Sequence, residues 1–299
     1  MQTNTAMLNE ILDNNPHAVA AWFNDPHDPT DLTVITTDNS EASSLNLPLL
    51  ARKMRLRRGQ STPINILRAY PTSGPALNQQ QECQNEPIKL GTQIQPSGAN
   101  WVGTAGAPVS FTDTHSNRCW GILSNWHVLA DGDQRLGRTA HQPDTARTAI
   151  ANLTRWSSVS PTEENLVDCA VADSLTNGRH TIANEILEIG RPSYSILNAT
   201  IGLNVKKCGR TTGLTFGHCI GTDAAISVGY EDFTARFTSQ DVFAADSDTF
   251  SAPGDSGSLI LGAGCNCPTA LLFAGSDTLT IGNPMRLVAQ AMSLIFPFN

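Results

Sequence analysis

With 299 residues, 40% of them hydrophobic and 15% charged, the chain is long enough to bury one large or two unequal cores. Its net charge of -8 argues against nucleic acid as the main partner, and no run of about 18 apolar residues is present to cross a membrane. The opening Met1-Gln2-Thr3-Asn4-Thr5 lacks the basic and apolar stretches of a secretion signal, so a cytoplasmic location and reduced thiols are expected for its seven cysteines.

In chain order, Met7, Leu8, Ile11 and Leu12 fall on one face at helical spacing, and Asn14-Asn15-Pro16 ends that helix. Ala18 to Phe23 and Leu32 to Thr36 read as strands joined by the turn-rich Asn24 to Pro29. Lys53 to Arg57 and Ile64 to Ala69 are two further strands by the same reading. A small α/β domain with its linker is therefore expected over residues 1–85, with polar Gln79-Gln80-Gln81-Glu82 in the linker. The positive charges of Arg52, Lys53, Arg55, Arg57 and Arg58 read as a solvated strand face. From 86 to 299 many short strands are broken by Gly, Pro, Asn and Asp, the pattern of an all-β barrel or sandwich. Val205 to Cys219 reads as a hairpin with Thr211-Thr212-Gly213 near its tip and Cys208 opposite Cys219. Asn283 to Ile295 reads as a helix with Val288, Ala291, Met292 and Ile295 on one face. The Cys265-Asn266-Cys267 spacing matches no familiar zinc ligand set, so neither a metal nor a cofactor is expected.

The run Ser251-Ala-Pro-Gly-Asp-Ser-Gly-Ser258 carries the most chemistry. A serine hydroxyl attacks well only when a base takes its proton and backbone donors hold the oxyanion. Gly254 permits a tight turn that aims its own N–H and that of Ser256 at one point, an expected oxyanion hole. A base and an acid lie upstream. His127 follows the apolar run Trp120 to Leu123, at the start of a short turn or helix, and Asp168 is a lone acid within the apolar Leu166 to Ala172. A buried acid needs a hydrogen-bonding partner, and a histidine N–H is a good one. Asp173, the rival acid, reads as a strand terminator beside Ser174.

The order His127, Asp168, Ser256, with gaps of 41 and 88 residues, resembles that of the chymotrypsin/trypsin-like serine peptidases. Ile122 to Ala130, Lys206 to Thr215, Ser251 to Leu261 and Leu271 to Pro284 are similar to segments of the bacterial and plant intracellular group related to the rice NARROW LEAF protein. Trp126, where a second Asn is common in that group, and the Cys265–Cys267 loop depart from it. The resemblance implies two six-stranded antiparallel β-barrels with a C-terminal helix over 86–299, following the small N-terminal α/β domain. It also implies a serine endopeptidase acting on protein or peptide substrates, sometimes a homo-oligomer, with no nucleic-acid or membrane partner. A non-catalytic scaffold and a self-processing enzyme are the alternatives. Secreted relatives staple the loop around the histidine, but here no cysteine lies between His127 and Cys169, which fits an intracellular enzyme. They are also activated by a freshly cut N-terminus that pairs with the acid before the serine. No matching cleavage sequence lies near residue 88, so Asp255 is expected to find its partner within the fold. Phe250 occupies the position where trypsin-type enzymes place an acid at the pocket floor, which argues against an Arg or Lys preference. Ser276 and Asp277 read either as the opposite wall or as a surface turn, and a small or medium apolar residue is the expected fit.

Overall fold

Short apolar strands that cannot cover both faces alone pair into sheets, and curling a sheet until its edges meet removes the unpaired edges. The structure, a computed structural model, describes residues 4–25, 28–36, 55–58, 87–113, 115–147, 149–175, 182–247 and 249–295. The expected strand Ile64 to Ala69 and the linker at 79–82 lie outside them.

The N-terminal segment contributes α1 (Asn4–Asn14), β1 (Ala18–Asp25), β2 (Asp28–Thr36) and β3 (Arg55–Arg58). The first half of the rest holds β4 (Ile88–Leu90), β5 (Thr92–Pro96), β6 (Gly103–Ala105), β7 (Ala107–Thr112), β8 (Arg118–Ser124), α2 (Trp126–Leu129), β9 (Thr139–His141), β10 (Ala149–Ser157), β11 (Glu164–Asn165) and β12 (Cys169–Ser174). After β13 (Ile182–Ile186) come β14 (Asn204–Gly209), β15 (Gly213–Gly229), β16 (Thr234–Ala245), β17 (Leu259–Gly262), β18 (Pro268–Gly275), β19 (Thr280–Pro284), α3 (Met285–Met292) and β20 (Leu294–Ile295).

Both halves close. In the second, β14 pairs with β15, β15 with β16, β16 with β19, β19 with β18, β18 with β17 and β17 with β14, all antiparallel, giving a ring of six. In the first, β7 pairs with β8, β8 with β12, β12 with β10, β10 with β9, β9 with β5 and β5 with β6. Because β6 runs into β7 through Gly106 alone, this is a second ring of six. The C-terminal helix is shorter than its pattern suggests. Thr280–Pro284 is strand β19, and Ser293, at φ 51°, closes α3 in the left-handed conformation.

The N-terminal segment extends the second barrel's sheet. β1 pairs antiparallel with β15 (Ala20 opposite Ile226, Ala21 opposite Ala225), β2 pairs with β1, and β3 runs parallel to β2. The apolar Ala18 to Phe23 serves two faces. Ala20 and Trp22 join the large core shared with the barrels, while Ala21 and Phe23 pack under α1 against Leu8, Ile11 and Ala225. A strand buried on both sides reads as a continuous apolar run.

One joint between the barrels positions everything described below. Thr104 of β6 donates its N–H to the Ser256 carbonyl at 2.8 Å and its hydroxyl to the Gly254 carbonyl at 2.9 Å. Its own carbonyl accepts from Ser124 Oγ at 2.7 Å. At Gly106 a Cβ would lie 1.8 Å from the Gly257 carbonyl oxygen, so only glycine allows this approach.

Two expected outcomes follow from the packing. Ile11 is fully buried between α1 and the extended sheet, and Ile11→Ala should lower the stability of the whole chain by about 2–5 kcal/mol in urea unfolding. Asp241 of β16 is 5% exposed, and burial, followed by repulsion from Asp223, lifts its pKa to about 8. The unfolded chain ionises it near ~3.9. Between those values the folded state holds the extra proton, so stability falls as pH rises through the window. Asp241→Asn should flatten that fall when urea midpoints are compared at about pH 5 and about pH 8.

Candidate active site

His127 sits on the single turn of α2, just past β8. Asn125 precedes the helix but does not cap it with its side chain. Its amide donates instead to the Asp168 carbonyl at 2.7 Å. Asp168 lies one residue before β12, not inside a strand as its apolar neighbours suggested. Its carboxylate is fully buried. Oδ2 meets His127 Nδ1 at 2.6 Å and Oδ1 accepts the His127 backbone N–H at 3.3 Å. A third donor was not legible in the sequence: the Tyr230 hydroxyl reaches Oδ2 at 2.7 Å. The Asp168 N–H donates to Asn283 Oδ1 at 2.9 Å, and Asn283 Nδ2 donates to Gln240 Oε1 at 2.6 Å. Asn125, Gln240 and Asn283 are all fully buried. The backbone of the acid is thus fixed from two sides, by Asn125 and by Asn283, which Gln240 holds in turn. Asp173, within β12, makes no contact of this kind; burial, then Asp113, raises its pKa.

The other face of the histidine is open to chemistry. His127 Nε2 is buried and has no hydrogen-bond partner among the described residues. Its ring stands edge-on to Tyr230 at 6.1 Å, Tyr230 stacks towards Phe237 at 6.4 Å, and Phe237 meets Phe273 at 4.7 Å. The Ser256 hydroxyl points at the Phe273 carbonyl, 3.4 Å away. Helix α2 and the serine loop also share one seat: a Cβ on Gly103 would lie 2.5 Å from Val128 Cγ2 and 3.2 Å from the Ser256 carbonyl. Gly254 adopts φ 99°, open to glycine. Thr104 takes both the Gly254 and the Ser256 carbonyls.

Cys169, beside Asp168, offers no rival nucleophile, because burial and then Asp168 push its pKa well above the ordinary thiol value.

Asp255 finds its partner inside the fold. Its carboxylate takes Lys207 Nζ at 3.1 Å, and both side chains are shut off from water. It also accepts the Thr211 N–H at 2.7 Å, the Thr212 hydroxyl at 2.7 Å and the Ala252 N–H at 3.1 Å. Lys207 further donates to the Gly213 carbonyl at 3.1 Å and to the Thr212 hydroxyl. The ends of β14 and β15 thereby hold the loop that carries Ser256. A lysine in a strand between apolar Val205 and Cys208 was the available signal.

Beside Ser256 opens a cavity of about 420 Å³. Thr249, Ser251, Ala252 and Pro253 form one wall, and Leu272, Ala274, Gly275, Ser276 and Asp277 the other. Ser276 and Asp277 line this cavity. Phe250 does not: the lining passes from Thr249 to Ser251, and the Phe250 side chain turns into the core against Phe243 at 6.3 Å. The Phe250 side chain joins the buried cluster of Val205, Phe243 and Ile260 instead. The Ser251 and Thr280 hydroxyls lie 2.5 Å apart at this wall. The cysteines also differ from expectation. Cys265 and Cys267 form a disulfide across a tight turn, and Cys208 lies opposite Leu214, not Cys219, because β14 and β15 register from a tip at residues 210–212. Among the described residues no group of three or more His, Cys, Asp or Glu is arranged to hold a metal, and no helix is long and apolar enough to cross a membrane.

Two closed rings of six strands, joined at a glycine-flanked serine, have counterparts among solved structures. A glutamic-acid-specific serine protease is similar at a TM-score of 0.51 and 16% identity, over 70% of this chain and 100% of its own. A chymotrypsin of Cellulomonas bogoriensis matches at 0.50 and 18%, over 71% and 99%. A Nocardiopsis protease matches at 0.50 and 18%, over 70% and 98%. The chain has the chymotrypsin-like serine-protease fold. No model of a known protein family matches the sequence, and no curated protein does.

Within this fold the Lys207–Asp255 pair lies in a dry interior, where leaving one charge without its partner is costly. Lys207→Met, which keeps the packing of the stem, should cost about 3–5 kcal/mol in urea unfolding. A cost under about 1 kcal/mol would show that the turn amides alone satisfy Asp255.

Proposed function

We propose that the chain is a serine endopeptidase that cleaves peptide bonds through an acyl-enzyme, with Ser256, His127 and Asp168 as nucleophile, base and orienting acid. The observation that carries the reading is the histidine held by a buried carboxylate at Nδ1, 2.6 Å away, while Nε2 is left without a partner. A base so oriented can take one proton and return it. In the first half-reaction Nε2 removes the Ser256 proton as Oγ bonds to the substrate carbonyl carbon. The carbonyl electron pair moves to oxygen, where the Gly254 and Ser256 N–H groups receive it. Collapse breaks the C–N bond, and the histidine delivers its proton to the departing amine. Water repeats the sequence on the ester and frees Ser256. Each oxyanion donor is worth about 2.7–4 kcal/mol of barrier in enzymes of this type.

The substrate side chain enters the cavity between Thr249–Pro253 and Leu272–Asp277. Apart from Asp277, its lining is neutral and made mostly of small residues and hydroxyls, which favours a small or medium residue. The buried Lys207 supplies Asp255 with the positive charge that a cut N-terminus gives in secreted relatives. The peptidase unit is residues 86–299, and it needs no proteolytic activation. On its motif wording the chain joins the intracellular group related to the rice NARROW LEAF protein, with the cytoplasm as its compartment.

The uncut chain should label with a fluorophosphonate probe and hydrolyse peptides. Ser256→Ala should abolish labelling and lower kcat by at least about 10,000-fold. Labelling that persists in a folded Ser256→Ala protein refutes the nucleophile. Activity confined to a chain cut near residues 80–90 refutes the absence of activation.

A further inference from the structure

The β15–β16 hairpin is longer than the barrel requires. β14 covers β15 only through residues 213–218, and β19 covers β16 only at 241–243. From Ala224 to Thr238 the two strands continue as an arm, paired to each other from Ala224 opposite Gln240 to Gly229 opposite Thr234. The arm's two edges are covered. β1 pairs with its β15 edge at Ala225 and Ile226, and β11 pairs with its β16 edge at Arg236 and Phe237. Helix α1 pins it further, since Arg236 meets Asp13 at 3.0 Å. At the tip, the Tyr230 N–H donates to the Phe233 carbonyl at 2.7 Å and the two rings stack at 4.9 Å and 10°. Trp126 stands edge-on to the same ring at 6.0 Å. A rigidly held phenol is thereby carried from the second barrel to an acid that belongs to the first.

We propose that Tyr230 is a positioning residue, whose hydroxyl fixes the Asp168 carboxylate so that Oδ2 faces His127 Nδ1. The inference rests on the acyl-transfer reading of the Ser256 site. Oδ2 receives two donors, His127 Nδ1 at 2.6 Å and the Tyr230 hydroxyl at 2.7 Å, and two short bonds to one oxygen leave the carboxylate no freedom to rotate. Burial, then the Asp168 charge, raises the phenol pKa well above its ordinary value, so the hydroxyl remains a neutral donor. The charged or titratable groups around it are Asp168, His127 and Asp131, and burial raises the pKa of Asp131 also. The arm explains why this role falls to a residue 62 positions from the acid in sequence. It also gives the N-terminal segment a part in the site, since α1 and β1 hold the arm at its flank.

Tyr230→Phe tests the inference because it keeps the ring contacts and removes only the hydroxyl. Two readouts are taken on the full chain: the rate of fluorophosphonate labelling, and the low-field proton resonance of His127 Nδ1. With one donor lost, the carboxylate can rotate away from Nδ1, the Asp168–His127 bond weakens, and its proton should move to higher field. Labelling and kcat should fall about 10-fold with KM unchanged, because the hydroxyl touches no substrate. A resonance that does not move in the folded variant, or a labelling rate equal to that of the unsubstituted chain, overturns the proposal. If the unsubstituted chain does not label at all, the acyl-transfer reading fails on its own, and the resonance alone decides whether Tyr230 fixes Asp168.

Discussion

A carboxylate shut off from water governs this structure. Asp168 has no exposure, and an ion in that state is tolerated only when donors replace the water it has lost. The donors come from places far apart in the chain: His127 on α2 and Tyr230 at the arm's tip. Asn125 and Asn283 hold the backbone on either side of the carboxyl, and Gln240 in turn holds Asn283. Satisfying one acid therefore draws the loop before β12, the helix after β8, the β16 strand and the end of β19 to one point. The barrels could not separate or rotate without leaving part of this set unpaired.

The second buried acid does the same for the serine. Asp255 is held by Lys207 and by the amides and hydroxyl of the β14–β15 turn. Thr104 then grips the carbonyls on either side of it from the first barrel. The loop is fixed from both barrels at once, with charge on one side and neutral hydrogen bonds on the other. Preorganisation of this sort matters for chemistry because donors already aimed at a developing charge need not reorganise when it forms.

Much of this was legible in the sequence, for identifiable reasons. The α1 face of Met7, Leu8, Ile11 and Leu12 and the two strands that follow carry their own periodicity, which is local. The residues expected as base and acid are hydrogen-bonded to each other, and Ser256 lies in the loop that joins the barrels, because its glycine-rich context is also local. Other features depended on neighbours distant in sequence. Phe250 was read by its spacing from Ser256, but its ring packs in the core beside Phe243 and Ile260. Cys208 and Cys219 were read as facing partners, yet the register set by the Arg210–Thr212 tip separates them. The helix expected from Asn283 begins two residues later because Asn283 is needed in the sheet beside Asp168.

Residue order, glycine placement and apolar periodicity are properties of the chain, and they determined the β-rich class and singled out Ser256, His127 and Asp168 as the candidate site. Burial and long-range pairing are properties of the folded object. Only the tertiary structure decided that Lys207 neutralises Asp255 across 48 residues, that Tyr230 reaches Asp168 across 62, and that the N-terminal strand continues the second barrel's sheet. The physical reason is the same in each case. A buried polar group must find its partner somewhere, but nothing in the local sequence says which distant segment will supply it.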